Sequence, residues 1–595
     1  MEDLHKLSAS VEVWANDPYW LTLLHAKKTV RGYTSHVDSE DFFLQGPGPF
    51  DPANELLATL RKFVEDNDTQ CRFPVRVEWL ESQLNTLGKV LPAVTCDEYE
   101  TWRKGIEPKR IVMVFASSYL NSPSSMYGHT LLRIDPVSNV ENNPLLSYAI
   151  NFAAAVNPGE NSLLYTFKGL TGGYPGYFSL VEYQKKIKDY SRIDNRDLWE
   201  YPLQLNEQEM RRVLAHIWEL REIQFDYFFF KENCSYRLIE LLEVARPGLS
   251  ISHRFRGYAI PVDTVRILDE AGILGEASVR PSERKKLEQY AGLLTQDERQ
   301  LALAIAREET GIEQLNGLDS QLQGRIAKLA LDFWRYKNQK VPRKDKNIEL
   351  SFELLRLINQ YSEHLPKQNT SRFEAHQRPD QGHRSGRIMI GGGELSSADY
   401  LTLSTRFSYH DTLDLSWGYP DFMELVMGEA ELRYSEKDHL ELEKLKLVSI
   451  SSLAPRDDLF KPLSWQVRIG AERSFAADRP LHSYLSGQFG HTYKLLPGTI
   501  AYGLTGLRLD FSNSRSQVLD GAINAELGSV LQFGRYNAAA RFQLQKFGND
   551  SEWMKSSLGL NYAIRTNVNV RLNGTYAKID GFDSWDAKLT LGRYF

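Results

Sequence analysis

Cysteine, long apolar runs and surplus positive charge are all scarce in this chain. The 595 residues include only three cysteines, and the formal net charge is −6. No segment approaches the roughly 18 apolar residues that a membrane-spanning helix needs, and the mean hydropathy is −0.41. No basic run is interleaved with aromatic residues, so nucleic acid is not an expected partner. These shortages exclude a helical membrane protein and argue against nucleic acid as a partner.

Metal and cofactor motifs are also missing. The sequence contains no HExxH, no CxxC, no GxSxG and no phosphate-binding loop. His376 and His383 lie seven residues apart in a polar stretch, which is not the spacing of metal ligands. We therefore expect neither a metal nor a cofactor.

The N-terminal stretch MEDLHKLSASVEVW lacks the basic and apolar regions of a signal peptide. Taken alone, this would indicate a cytosolic protein. The C-terminal third contradicts that reading, so we expect the natural protein to carry a leader that this sequence does not include.

The last third of the chain alternates between polar and apolar residues. From Arg387 onward about twelve segments of about ten residues show a period of two and are separated by turn residues. This pattern is typical of transmembrane barrel strands. Aromatic residues near the segment ends fit the interfacial girdles of such a barrel: Tyr409, Tyr434, Tyr493, Tyr562 and Tyr576. The sequence predicts an antiparallel outer-membrane β-barrel of approximately twelve strands over 387–595, with a soluble β-sandwich as the alternative.

Export to an oxidising compartment gives the cysteines distinct roles. Cys71 and Cys96 lie 25 residues apart in the N-terminal region and are expected to form a disulfide. Cys234 is then left unpaired. A lone thiol in an exported protein is either an inert buried side chain or a reactive group.

The position of Cys234 favours reactivity. Leu238, Leu241, Leu242 and Ala245 recur at helical spacing, so Asn233 and Cys234 lie at the start of a predicted helix. Unpaired backbone N–H groups and the helix dipole at this end stabilise a thiolate. The sequence therefore predicts a nucleophilic cysteine.

A nucleophilic thiol needs a nearby base, and two histidines of the same region are candidates. His216 lies mid-helix and is more simply structural, whereas His129 begins a predicted strand. We predict a Cys234–His129 dyad, with Asn151 on the following strand orienting the imidazole. Tyr148 and Ser125 are the weaker candidates for that third role.

Glycines are concentrated in GLTGGYPGYF, residues 169–178. The stretch lacks nucleotide-binding spacing and is predicted to be a flexible loop, with Gly172 and Gly173 as a possible lid over the site. The whole chain is predicted to be α+β, in five parts: a helical N-terminal extension (1–100), a catalytic domain (101–250), a helical region (251–370), a linker (371–386) and the barrel (387–595).

Five ordered motifs carry a family resemblance: SPSSMYGHTLLRID, SYAINFAA, GLTGGYPGYF, YSRIDNRDLWEYPLQL and KENCSYRLIELLE. Over residues 100–250 the chain resembles the periplasmic domain of the lipoprotein intramolecular transacylase Lnb. CRFPVRVEWL is similar to an N-terminal extension of relatives that end in a barrel. The order of His129 before Asn233-Cys234 is also similar to permuted papain-like enzymes such as lecithin:retinol acyltransferase.

The resemblance implies acyl transfer. Cys234 would attack an ester of a phospholipid or lipoprotein, form a thioester and pass the acyl group to an amine, an alcohol or water, with His129 as base. The expected partners are membrane lipid or lipoprotein substrate and the outer-membrane bilayer, with the N-terminal domain in the periplasm. Two alternatives stay open: a cysteine amidase or peptidase of cell-wall peptide, and a non-enzymatic barrel channel or assembly factor with a gating domain.

Overall fold

The fold divides into two compact units, residues 1–285 and 286–595. The computed structural model describes residues 10–46, 48–117, 126–139, 143–157, 159–255, 257–339, 341, 348–361, 377–511 and 519–595. No helix in these ranges is long and apolar enough to cross a membrane.

The helices of the first unit begin where a side chain can cap them. Helix α2 has proline at its first position, and the Asp51 carboxylate accepts hydrogen bonds from the N–H groups of Ala53 and Asn54. Helix α8 begins with a capping box formed by Asn206 and Glu209. The helices of this unit are α1 Pro18–Leu23, α2 Pro52–Glu65, α3 Asn67–Arg72, α4 Pro74–Asn85, α5 Asp97–Ile106, α6 Ser162–Thr171, α7 Tyr183–Ile187, α8 Glu207–Glu219, α9 Cys234–Ala245 and α10 Pro261–Glu270.

One antiparallel sheet forms the framework of the first unit. Its seven strands lie in the order β8-β6-β5-β4-β3-β7-β9, and a separate hairpin pairs β1 with β2. Helix α9 packs on β4 and β5, at the middle of the sheet. The strands are β1 Ala26–Thr29, β2 Gly32–Ser35, β3 Pro108–Ala116, β4 His129–Pro136, β5 Tyr148–Ala154, β6 Tyr174–Glu182, β7 Leu198–Pro202, β8 Phe225–Tyr227 and β9 Ser278–Arg280.

A buried ion pair joins α2 to α4 in the N-terminal part of this unit. The guanidinium of Arg76 donates to the Glu55 carboxylate at 2.7 Å, and both side chains are fully buried. Arg76 also donates to the carbonyl of Phe42, while Glu55 accepts from the N–H groups of Leu44 and Gln45. The predicted disulfide between Cys71 and Cys96 is present nearby in the chain.

In the part of the chain that the structure describes, four helices open the second unit, and the first of them crosses the boundary between the units. Leu329, Ala330 and Phe333 of α13 lie in their apolar core. Phe460, from a turn of the barrel, also belongs to this core, and its ring centroid lies 5.1 Å from that of Tyr336. The helices are α11 Glu283–Ala291, α12 Gln296–Ala306, α13 Ser320–Lys337 and α14 Ile348–Gln360.

A closed barrel of twelve antiparallel strands completes the second unit, as predicted. Each strand pairs with its neighbour in sequence, and β10 pairs with β21 to close the sheet. The strands are β10 Arg387–Leu395, β11 Ala398–His410, β12 Met423–Ser435, β13 His439–Ser452, β14 Ser464–Arg473, β15 Leu481–Leu496, β16 Thr499–Phe511, β17 Leu519–Phe533, β18 Tyr536–Phe547, β19 Glu552–Arg565, β20 Val568–Ile579 and β21 Phe582–Tyr594.

The two faces of the barrel wall have opposite polarity. Leu401 is 65% exposed whereas Thr402 is 4% exposed, and Leu507 is 66% exposed whereas Arg508 is 5% exposed. Apolar side chains thus point outward and polar ones point into the lumen, which is the arrangement that lipid requires. The soluble β-sandwich alternative is therefore wrong.

The predicted aromatic girdle is correct at four of its five positions. Tyr434, Tyr493, Tyr562 and Tyr576 are exposed on the outer face, but Tyr409 is buried. Tyr409 sits at the end of β11, where its ring packs edge-on at 4.9 Å against Tyr419 of the following turn. That contact turns the tyrosine away from the interface.

The barrel turns are unequal at its two ends. At the end where β10 begins, residues 411–422 fold into the lumen, where Asp414 accepts hydrogen bonds from Arg387 and Arg571, each at 2.8 Å. Leu413 of the same turn packs against an inward-facing apolar cluster. At the opposite end, residues 396–397, 436–438 and 580–581 form short connections, and the longest, 474–480 and 512–518, have seven residues each. A charged cavity of about 240 Å³ is left inside the barrel.

Candidate active site

The free thiol of Cys234 lies at the first residue of helix α9, as the sequence predicts. Asn233 caps the helix: its side chain accepts from the N–H groups of Ser235 and Tyr236 and donates to the carbonyls of Phe229 and Ala259. Because all its polar atoms have partners, Asn233 holds the helix start in place. In this geometry Asn233 supports the site structurally, as the cap of the helix that carries Cys234.

The imidazole of His129 faces the sulfur of Cys234 from the first residue of β4. Its Nε2 donates to Asn151 Oδ1 at 2.9 Å, which leaves Nδ1 as the nitrogen available to the thiol. All three side chains are buried. A proton fixed on Nε2 makes Nδ1 a base, so the structure brings together the three predicted residues in a geometry suited to thiol deprotonation. Their catalytic roles stay predictions.

Opposing influences act on the pKa of Cys234. Burial raises this pKa, but the positive charge of His129 and a hydrogen bond from its ring lower it, as do hydrogen bonds from the Thr130 backbone and the Ser235 side chain. The net result lowers the pKa of the thiol from its usual 9.0 to about 7. A thiolate–imidazolium pair is therefore accessible near neutral pH.

Two hydroxyl groups form a hydrogen-bond chain that ends at the sulfur of Cys234. Thr130 Oγ1 donates to Ser235 Oγ at 2.9 Å, and Ser235 Oγ lies 3.8 Å from Cys234 Sγ. Since Ser235 accepts the proton of Thr130, its own proton is free to point at the sulfur. Both hydroxyls are fully buried.

Tyrosines that the sequence prediction did not include surround the dyad. The ring of Tyr190 lies 5.6 Å from that of His129, within a π-helical segment, Lys188–Ile193. The pKa of Tyr227 is raised, mainly by burial and secondly by the negative charge of the Cys234 thiolate. The hydroxyl of Tyr227 is hydrogen-bonded to the backbone of Cys234. For Tyr190, the sequence feature that could have indicated a site residue was its place in the motif YSRIDNRD. Tyr227 lies in a short strand where polar and apolar residues do not alternate, so no such indication was present in the sequence.

Other predicted site residues lie elsewhere. Tyr148 is three residues before Asn151 in β5, so its side chain points to the opposite face of the strand. Ser125 is outside the described residues. His216 is buried and bonded to His25 at 2.9 Å and to Glu219 at 2.6 Å, in keeping with its predicted structural role.

The glycine-rich stretch is mostly not a loop, so that part of the prediction is wrong. Helix α6 continues to Thr171 and strand β6 starts at Tyr174. The glycines allow close packing instead: a Cβ on Gly169 would lie 2.2 Å from the Phe229 ring, and Gly172 has a left-handed φ of +78°. The lid role of Gly172 and Gly173 stays a prediction.

A second group of possible ligands lies at the end of the barrel. The ligand atoms of His383, His410 and Asp414 all lie within 4.8 Å of one another. However, His383 Nε2 is hydrogen-bonded to His410 Nδ1 at 3.0 Å, and Asp414 Oδ2 already accepts from Arg406 and from the N–H of Asp411. The donor set thus fits an ion-pair cluster better than a cation site.

The pH dependence of Cys234 alkylation is a direct test of this electrostatic arrangement. Because the folded pKa is lowered, the thiolate fraction should be high above pH 7 and fall as the pH drops through about 7. We expect the rate of reaction with chloroacetamide, followed by mass spectrometry, to show its midpoint near this pH. Since the other two cysteines form a disulfide, no other thiol competes. A midpoint at or above the usual 9.0 would contradict the proposed pair.

These features define a class: an α+β domain with a buried cysteine–histidine site, joined to an outer-membrane barrel. Residues 98–271 match the Lnb N-terminal periplasmic domain. This part of the chain is therefore similar to that periplasmic domain, and a C-terminal barrel follows it. The similarity indicates enzymatic activity of the N-terminal domain, and the predicted localisation is confirmed: the outer membrane, with a periplasmic N-terminal domain.

The flanking regions match domains without an assigned role. Residues 376–594 match a domain of unknown function, DUF7840, and residues 12–83 match another, DUF7843. Among curated proteins, no match to the chain was found.

Two solved structures of outer-membrane proteins are each similar to about a third of the chain. The NanC porin is 10% identical over 35% of this chain and 100% of its own, with a TM-score of 0.24. The Acinetobacter baumannii outer membrane protein Omp33 is 10% identical over 36% of this chain and 100% of its own, with a TM-score of 0.20.

Proposed function

We propose that this protein is an outer-membrane-anchored thiol acyltransferase or lipid acyl hydrolase. It would act on acyl esters of phospholipid or lipoprotein at the periplasmic side, within a permuted papain-like domain. The observation that carries the proposal is the buried Cys234–His129–Asn151 arrangement with a thiol pKa of about 7. The family match of residues 98–271 supports a role in lipoprotein modification.

The first half-reaction forms a thioester. His129 Nδ1 takes the thiol proton, and the Cys234 thiolate attacks the carbonyl carbon of the ester. The tetrahedral oxyanion would be held by the N–H of Cys234, which the Asn233 cap does not use and which would exchange its contact with the Tyr227 hydroxyl for the oxyanion. The C–O bond then breaks, and the leaving alcohol takes the proton from the imidazolium.

The second half-reaction regenerates the thiol. An amine, alcohol or water gives its proton to His129 while attacking the thioester carbonyl. The C–S bond then breaks, and the departing thiolate takes that proton from the imidazolium.

Aromatic packing beside the nucleophile supports an acyl substrate. The ring of Tyr227 stacks on Phe152 at 5.7 Å and meets Phe229 edge-on at 6.1 Å. An apolar wall with few polar groups is typical of a site for an alkyl chain. The turn that folds into the barrel lumen likewise supports an anchor rather than a channel.

Intact-protein mass spectrometry with phospholipid or diacylated lipopeptide tests the proposal. The wild-type chain is expected to gain one acyl group that hydroxylamine removes, and Cys234→Ala is expected to gain none. The variant Ser250→Ala, in the same unit but in an exposed contact with His253, serves as the matched control. Absence of an adduct with both lipids, or an adduct that persists in Cys234→Ala, would refute the mechanism. A covalent adduct with a cell-wall peptide alone would favour the amidase alternative.

A further inference from the structure

Helix α6 presents an unusual apolar face to solvent. Leu164, Phe167 and Leu170 are 45%, 63% and 48% exposed, and their spacing of three residues places them on one side of the helix. The opposite side packs inward: Gly169 is buried against the ring of Phe229. Three large exposed apolar residues on a ten-residue helix mark a surface that binds something apolar.

The inner side of the same helix contacts the segment that leads to the nucleophile. The carbonyl of Gly169 accepts from the Phe229 N–H at 2.8 Å, and the Tyr165 ring lies 5.2 Å from that of Phe229. Phe229 in turn accepts from Asn233, the residue before Cys234. The apolar face is therefore one layer of side chains away from the strand-to-helix connection that positions the thiol.

Local charge is also suited to a position at an interface. Lys168, on the flank of α6, pairs with Glu160 at 2.5 Å, so the helix carries no unpaired charge toward its apolar face. An amphipathic helix with such a face lies in the plane of a bilayer surface. The barrel of this chain spans a membrane, so a lipid surface is always at high local concentration for the domain attached to it.

We propose that the face of α6 formed by Leu164, Phe167 and Leu170 docks onto the lipid bilayer surface and delivers acyl chains to Cys234. This inference rests on the proposed function, because it names the physical state of the substrate: lipid within a bilayer rather than free in solution. The occupant of the face is the lipid surface, not a protein partner.

Site-specific photocrosslinking tests the docking independently of the chemistry. A benzophenone amino acid replaces Phe167 in the full chain carrying Cys234→Ala, reconstituted in phosphatidylethanolamine–phosphatidylglycerol vesicles. The matched control carries the same label at Val90, which is 80% exposed in the same unit. We expect lipid adducts at position 167 and few at position 90. Equal labelling at the two positions, or labelling of a second copy or another protein at 167, would overturn the proposal.

A kinetic ratio provides the second measurement. Thioester formation is compared for vesicle phospholipid and for a water-soluble short-chain ester, in otherwise wild-type protein. The triple variant Leu164→Gln/Phe167→Gln/Leu170→Gln should lower the vesicle-to-ester rate ratio about tenfold, since lost apolar burial weakens interfacial binding. Val90→Gln should leave the ratio unchanged.

An unchanged ratio in the triple variant would overturn the docking. The two proposals can fail separately. If no ester acylates Cys234 but the label at 167 still reacts with lipid, the proposed function fails and the docking stands. If acylation occurs but position 167 labels no lipid, only the docking fails.

Discussion

His129→Ala is expected to slow thioester formation by about 10³-fold, the range that a general base supplies. Two losses combine in this variant. The ring can no longer take the thiol proton, and its charge no longer offsets burial, so the pKa of Cys234 should rise above its usual 9.0 because burial is the largest influence on it. Burst-phase kinetics with an activated ester, together with the alkylation midpoint, measure both effects.

A histidine outside the site provides the control. His253 contacts only Ser250 among the hydrogen bonds described, at 3.4 Å, and lies in the same unit. His253→Ala should retain the wild-type rate and alkylation profile. If His129→Ala reacted as fast as this control and kept a midpoint near 7, His129 would not be the base.

The largest stability effect is expected at the buried pair in the N-terminal part. Glu55→Gln leaves the Arg76 guanidinium fully buried without a carboxylate, and removing one partner of such a pair costs about 3–5 kcal/mol. This is a large share of the roughly 5–15 kcal/mol that stabilises a typical domain. Urea unfolding of the full chain in micelles, followed by tryptophan fluorescence, measures it, because Trp20 and Trp79 stack nearby at 4.9 Å.

Two variants separate charge burial from simple loss of a contact. Glu55→Leu combined with Arg76→Met removes both charges and should recover much of the lost stability. Glu100→Gln breaks a partly exposed pair with Arg103, which keeps its second partner Glu107, and its cost should be about 0.5 kcal/mol or less. If Glu55→Gln cost no more than Glu100→Gln, the buried pair would contribute little to the stability of this unit.

The barrel was the most predictable part of the fold. Each of its strands has one lipid-facing and one lumen-facing side. Apolar and polar residues therefore alternate along the sequence, as at Leu401 and Thr402, and this alternation can be recognised without a structure. The turn that folds into the lumen was not predictable in the same way. Asp411 and Asp414 look like ordinary turn residues until Arg387, Arg406 and Arg571 from distant strands surround them.

The candidate site was predictable only where local sequence carries the signal. Cys234 was identified by its unpaired status and its helix start, and His129 and Asn151 by their places on strands. Tyr190 and Tyr227 were missed because only the tertiary fold brings them to the sulfur. The last residues of helix α6, 169–171, were taken for part of a loop because glycine normally disfavours helices, whereas here Gly169 makes room for an aromatic ring.

The short connections at the barrel end opposite the start of β10 affect how this protein can be recognised from outside the cell. Because the N-terminal domain is periplasmic, those connections face the exterior, and none spans more than the seven residues of 474–480 and 512–518. Antibodies and phages that recognise bacteria through long outer-membrane loops would meet only connections of seven residues or fewer at this end of the barrel. The N-terminal domain is periplasmic, so an antibody or phage outside the cell cannot contact it without first crossing the outer membrane.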